Sequence, residues 1–178
     1  MIFFTADLHF NHANIIKYCN RPFESIEQMN ETIIEKWNKK VSTVDKVYIL
    51  GDFTFREPEY FLDKLNGNKA LIIGDHDRAT TENDEARYLF AEKVPLLNLI
   101  YGGVPITLCH WCMRVWAKSH YNSWHLYGHS HGRLSPIGKS WDVGVDNNNF
   151  EPLSFLEIKS IMEKQPDNFN FIKRNEKL

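Results

Sequence analysis

Read for hydrophobic and polar positions, the chain alternates between short apolar runs and longer segments with helical spacing. The runs 2–4 (IFF), 47–50 (VYIL), 70–73 (ALII), 106–109 (ITLC) and 124–127 (WHLY) are nearly continuous in apolar residues. They are too short for buried helices and have the pattern of strands covered on both faces. Between them, Ser25 and Gln28 have capping-box spacing, and Ile26, Met29, Ile33 and Trp37 recur at helical spacing, which predicts a helix over about 26–39. Shorter helices are predicted at 13–19, 57–65 and 83–92, with turns at 65–68, 101–103 and 146–149. Strands alternating with helices predict an α/β protein.

Each of the five runs ends in a polar cluster: ADLH at 6–9, GDF at 51–53, GDHD at 74–77, CHW at 109–111 and GHSH at 128–131. In open α/β sheets, ligands bind outside the carboxyl ends of the strands, so endings far apart in sequence converge on one crevice. Convergence would collect Asp7, His9, Asp52, Asp75, His76, His110, His129 and His131. Apart from His76, these residues offer more donors than one tetrahedral ion takes, and they suit two divalent ions about 3.5–4 Å apart sharing a bridging carboxylate. Gly51, Gly74 and Gly128 each immediately precede a candidate ligand, as expected where a strand turns sharply and its backbone comes close to an ion.

Composition narrows the setting. A chain of 178 residues with 43% hydrophobic content fills one core, here taken as a single domain over 1–163 followed by a polar, mobile tail at 164–178. The net charge of −2 and a pI near 6.4 offer no broad basic field, which disfavours a dedicated nucleic-acid binder. An odd number of cysteines (Cys19, Cys109 and Cys112), no secretion signal and no apolar run near the roughly 18 residues of a membrane span indicate a soluble, cytoplasmic protein with no membrane partner. Oligomeric state is not readable from the chain.

The ordered set of clusters resembles the calcineurin-like metallophosphoesterase family, whose pattern is D-x-H, GD, GNH[DE], a lone H and GHxH. Here these read Asp7-Leu8-His9, Gly51-Asp52, Gly74-Asp75-His76-Asp77, His110 and Gly128-His129-Ser130-His131, so the resemblance spans 5–131. Segment 141–158 also looks like the closing strands of small prokaryotic and phage-type members. The resemblance implies a four-layer α/β/β/α sandwich of two mixed sheets. It places one ion on Asp7, His9, Asp52 and His131 and a second on Asp52, Asp75, His110 and His129, with Asp52 as the bridge. His76 would stand beside the leaving-group oxygen and Asp77 would orient it. The implied reaction is hydrolysis of a phosphate ester by attack of a metal-bridging hydroxide. Manganese is the favoured metal, with iron, zinc, cobalt or nickel as alternatives.

The family normally carries asparagine where this chain has Asp75. Two divalent ions, three carboxylates and a hydroxide sum formally to zero, a balance expected to favour a monoanionic diester over a dianionic monoester. The alternative consequence is loss of the second ion. Phe55 stands where many relatives have a polar residue, and Arg56 next to it is a compensating candidate. His12, Arg56 and Arg78 are candidates for substrate contact, while Arg114 and Arg133 read more readily as surface residues. Arg21 lies in a loop where spacing alone assigns no role. A small phosphate ester such as a nucleotide is the expected substrate. The alternative function is a metal-binding or protein-interaction scaffold with little or no catalysis, and a thiol-redox role for Cys109 and Cys112 is the third class.

Overall fold

The computed structural model describes residues 1–173. The chain order is β1 (Ile2–Thr5), α1 (Ala13–Tyr18), α2 (Ile26–Lys40), β2 (Lys46–Ile49), α3 (Pro58–Lys64), β3 (Asn68–Ile72), α4 (Arg78–Thr81), α5 (Asp84–Leu89), β4 (Phe90–Val94), β5 (Leu96–Tyr101), β6 (Val104–Cys109), β7 (Trp124–Tyr127), β8 (Ser140–Asp142), β9 (Leu153–Ser154) and α6 (Phe155–Lys164). Two mixed sheets result. The first has the order β4-β3-β2-β1-β9, parallel except for β9, and the second has the order β5-β6-β7-β8, parallel except for β5.

The apolar runs are continuous because the first sheet is covered on both sides. Phe3, Val47, Ile49 and Leu71 face Met29, Ile33 and Trp37 of α2 and Phe61 of α3. Their neighbours Phe4, Tyr48, Leu50, Ala70 and Ile72 face Ile106, Leu108, Trp124 and Leu126 of the second sheet. On the outer side of that sheet, Thr107, His125 and Tyr127 are buried beneath segment 111–123. Its Trp116 ring lies 5.3 Å from the His125 ring, and its one regular element is a 3-10 turn at Ser119–Tyr121. Where a second outer helical layer was expected, the chain therefore supplies a loop, and Ile158 and Met162 of α6 join the core between the sheets instead.

Helix α2 begins as predicted: the Ser25 hydroxyl accepts from Gln28 N–H, while the Gln28 side chain caps Glu24 N–H. The helix expected over 83–92 stops at Leu89, because Phe90 enters β4 and packs edge-on to Phe53 at 5.8 Å. The closing segment is strand only at β8 and β9. Ser154 and Glu157 form a reciprocal capping box that starts α6, an i,i+3 signal present in the sequence. The expected mobile tail is docked as far as it is described: the Asn168 amide donates to Ser119 O and Ser123 O at 2.9 and 3.0 Å, and Ile172 N–H bonds His120 O. Residues 174–178 of that tail lie outside the described residues.

Candidate metal centre

The loops leaving β1, β2, β3, β6 and β7 meet at one end of the two sheets. Asp7, His9, Asp52, His129 and His131 all have positive φ, between 47° and 65°. This region is sparsely populated by non-glycine residues and persists where surrounding structure over-determines it. Parallel loop pairing supplies part of that constraint, since Asp7 N–H bonds Gly51 O and His9 N–H bonds Asp52 O. The glycines before the candidate ligands have a steric origin. A Cβ on Gly51 (φ +86°) would lie 2.3 Å from His110 Nδ1, one on Gly74 2.7 Å from Asp52 Oδ1, and one on Gly128 2.9 Å from Asp7 Oδ2.

The seven predicted ligands come together. Asp7, His9 and His131 bring donor atoms within 4.8 Å of one another, as do Asp75, His110 and His129, and Asp52 joins Asp7 and His110 in the same way. Asp52 Oδ2 lies 3.4 Å from His9 Nε2 and 3.6 Å from His110 Nε2. Neither Nε2 has a hydrogen-bond partner, although both are buried. Two ligands about 2.1 Å from a common ion at a tetrahedral angle are about 3.4 Å apart, so each imidazole and Asp52 fit as neighbours on one ion. His110 Nδ1 donates to Leu50 O at 2.8 Å, which puts the ring proton on Nδ1 and turns Nε2 toward Asp52. Similarly, His131 Nδ1 meets Asp146 at 2.7 Å, and His129 Nδ1 lies 3.3 Å from Asp75 Oδ2.

The electrostatics describe a pocket short of positive charge. Burial, then repulsion from Asp142 and Asp52, pushes the Asp7 carboxyl well above the usual carboxylate range. Burial, then the neighbouring Arg21, holds His9 far below the usual imidazole range, so the ring is neutral. A neutral imidazole facing a carboxylate without a shared proton leaves two lone-pair donors converging, an arrangement that a cation relieves. Residues of this kind could hold two divalent ions.

A second layer fixes the candidate ligands, and here the structure corrects one reading. Asp77, expected to orient His76, is fully buried and instead accepts from the backbone N–H groups of Asp52 (3.0 Å), Phe53 (2.8 Å) and Gly74 (2.7 Å). It ties the β2 and β3 loops together because each presents donors that no strand partner satisfies. Burial pushes its carboxyl up, and the donated bonds pull it partly back. Arg21, to which spacing alone assigns no role, is buried. Its guanidinium donates to Asp7 O and Leu8 O and grips Asp146 through Nε and Nη2 at 2.8 and 2.9 Å. Burial alone would raise Asp146, but His131 and Arg21 outweigh it and hold the carboxyl low. Asp142 accepts from Ser130 Oγ, Gly132 N–H and Gly144 N–H. Sequence reading passed over Asp142 and Asp146, whose signal was an acid in a turn-rich stretch after the last histidine motif.

On the open side, an accessible cleft of about 340 Å³ is lined by His9, His12, Asp52, Phe55, His76 and Arg133, among others. Phe55 is stacked between His12 (3.9 Å) and His76 (5.0 Å), so it holds two imidazoles in register. His12 Nδ1 also lies 3.3 Å from His9 Nδ1. His76 is exposed, and its backbone N–H donates to Asp52 Oδ1, which keeps Oδ2 turned toward the imidazoles. Arg78 lines an adjoining hollow beside His76 and pairs with Glu82 at 2.9 Å. Arg56 is exposed and does not line the cleft, whereas Arg133 reaches its rim and bonds Tyr18 O. Cys109 is buried at the strand end, and all three cysteines are free thiols. No helix among the described residues is long and apolar enough to cross a membrane.

Fold and site together define an α/β protein of two facing mixed sheets with a cluster of carboxylates and imidazoles at its strand ends. Over 175 residues the chain is 35% identical to the uncharacterized protein MJ1445 of Methanocaldococcus jannaschii, covering 92% of each, and it belongs to the family of that protein. It is also 30% identical over 92 residues to the Gene 66 protein of Mycobacterium phage L5, covering 48% of this chain and 44% of that one. A crystal structure of the protein of unknown function AQ665 from Aquifex aeolicus shares the fold, with a TM-score of 0.71 at 23% identity over 90% of this chain and 98% of that one. The chain matches no protein-family profile.

Proposed function

We propose that the protein is a binuclear metal-dependent phosphoesterase on the calcineurin-like metallophosphoesterase scaffold, acting on phosphodiesters in preference to monoesters. The observation that carries this reading is the pair of buried, unpartnered Nε2 atoms of His9 and His110 on either side of Asp52 Oδ2. Asp7, His9, Asp52 and His131 would hold one divalent ion and Asp52, Asp75, His110 and His129 the other, manganese being the favoured metal. When bound, the ions supply Lewis acidity, drawing charge from phosphoryl oxygens and making a water nucleophilic near neutral pH. His76, exposed at the lip and stacked on Phe55, would give a proton or hydrogen bond to the departing oxygen. Arg133 at the rim offers a guanidinium to the remaining phosphate oxygens. Asp75 lowers the positive charge of the centre relative to an asparagine, which favours the monoanionic diester.

The test is the initial hydrolysis rate of a chromogenic phosphodiester against the matching monoester, with manganese added to metal-stripped protein. Metal-dependent diester preference that falls at least a hundredfold in His76→Ala is the expected result, in line with about 10²–10⁴-fold for general acid catalysis. Absence of metal-dependent turnover of either ester would refute it.

A further inference from the structure

We propose that the partner of the cleft is a single-stranded nucleic acid whose chain leaves the metal centre over the surface formed by 111–121. The hydrolysis of that chain rests on the phosphoesterase reading, while its binding does not. The net charge of −2 averages over a strong segregation. From Lys93 to Trp141 the sequence contains no Asp or Glu, so all 23 carboxylates lie elsewhere. That acid-free stretch builds β5, β6 and β7, the start of β8 and the loop covering their outer face. The opposite helical layer carries Glu27, Glu31 and Glu35 along α2. Such asymmetry creates a local positive field that a whole-chain charge conceals.

The surface combines the two components that single-strand binding uses, cations along a path and flat rings for bases. Arg114 and Lys118 are exposed, and Arg133 stands at the cleft rim. Trp111, Tyr121 and Phe169 are 40%, 51% and 59% exposed, and the Arg114 guanidinium lies 5.4 Å over the Phe169 ring. Trp111 joins this surface to the metal centre, since its indole N–H donates to Asp75 Oδ2 at 3.2 Å and its ring is edge-on to His110 at 5.4 Å. A base stacked there would hold its phosphate near the second ligand group. Asp167, which the docked C-terminal segment brings to this side, is hydrogen-bonded by Asn122 at 2.7 Å. An anionic bilayer would also meet the cations, but the exposed rings and their continuity with the cleft favour a strand.

The experiment measures fluorescence anisotropy of a short labelled oligothymidylate with the full chain in EDTA, across about 50–200 mM salt. Three phosphate contacts predict a log–log salt slope of about −2. Arg114→Glu with Lys118→Glu should weaken binding at least tenfold and remove most of that slope, and Trp111→Ala should weaken it about tenfold. Lys39→Glu on α2 should leave binding unchanged. No salt-dependent binding, an unchanged affinity in the double variant, or capture of anionic phosphatidylserine vesicles in place of the oligonucleotide would overturn the proposal. Manganese-dependent turnover of the small diester without oligonucleotide binding refutes this inference alone. Oligonucleotide binding without such turnover supports it and refutes the catalytic reading alone.

Discussion

Replacing Asp77 with asparagine separates an architectural carboxylate from a catalytic one. In the native protein one oxygen accepts from Asp52 N–H and Gly74 N–H and the other from Phe53 N–H, all in a fully buried site. The best asparagine orientation keeps its carbonyl on the two-donor side and turns its NH₂ toward Phe53 N–H, leaving that donor unsatisfied. A buried unsatisfied donor costs about 1–3 kcal/mol, and each of the two retained bonds weakens by about 1 kcal/mol when its acceptor loses charge. The expected loss is about 3–5 kcal/mol of unfolding free energy, a large share of the roughly 5–15 kcal/mol of a typical domain. Urea unfolding at neutral pH measures it, and manganese affinity should fall in parallel because Asp52 sits on the same loop. A loss below about 1 kcal/mol together with a collapse of diester turnover would refute this reasoning and return Asp77 to the role of orienting His76.

Three further outcomes follow from the same geometry. His125 is buried, donates through Nδ1 to Thr107 O and accepts from Met113 N–H, and burial pushes its pKa down to about 4. The unfolded chain, with an ordinary value near 6.5, then binds more protons between these pH values, so stability is full above about 6.5 and falls by about 3 kcal/mol on approach to pH 4. His125→Asn should flatten that slope in urea titrations run in EDTA, and an unaltered slope would count against it. Gly51→Ala places a Cβ 2.3 Å from His110 Nδ1 at φ +86°, so it should displace His110, destabilise the fold by at least about 2 kcal/mol and reduce metal content by elemental analysis. Retained metal stoichiometry would contradict this. Manganese at a hundred times its Kd should stabilise the metal-stripped protein by about 2.7 kcal/mol per independent site, readable in thermal denaturation and reversed by EDTA, whereas no shift would argue against a preformed metal centre.

The legible parts of the fold were those with a strong local pattern. The five apolar runs became β1, β2, β3, β6 and β7, and α2 began at its capping serine, because burial on both faces and a repeated apolar stripe are written in consecutive residues. Strand β5 escaped because its residues are mostly exposed or half-buried on an edge, and β4 because its sequence FAEKV follows a helix with no turn between them. Helix α6 lies in the segment 141–158 that the family resemblance likens to closing strands, although Ser154 and Glu157 mark its start.

For the candidate site, the donor types were readable in sequence because they are properties of single residues, and the glycine before three of them records where a side chain from another loop must pass. What each polar residue does with its partners was not. Arg21 meets Asp146 across 125 positions, and His129 N–H meets the Asp7 carboxylate across 122. Asp77 follows His76 in the chain yet turns inward to three backbone donors, and Phe55, an apparent defect beside Asp52, is the ring that aligns His12 and His76. Sequence alone determined which strands are buried and which atoms are available as ligands, because both are properties of neighbouring residues. The tertiary structure alone decided which carboxylates bind backbone and which face the cleft, and turned an acid-free stretch into one face of the molecule, because hydrogen bonds and fields act over a few ångströms of space whatever the separation along the chain.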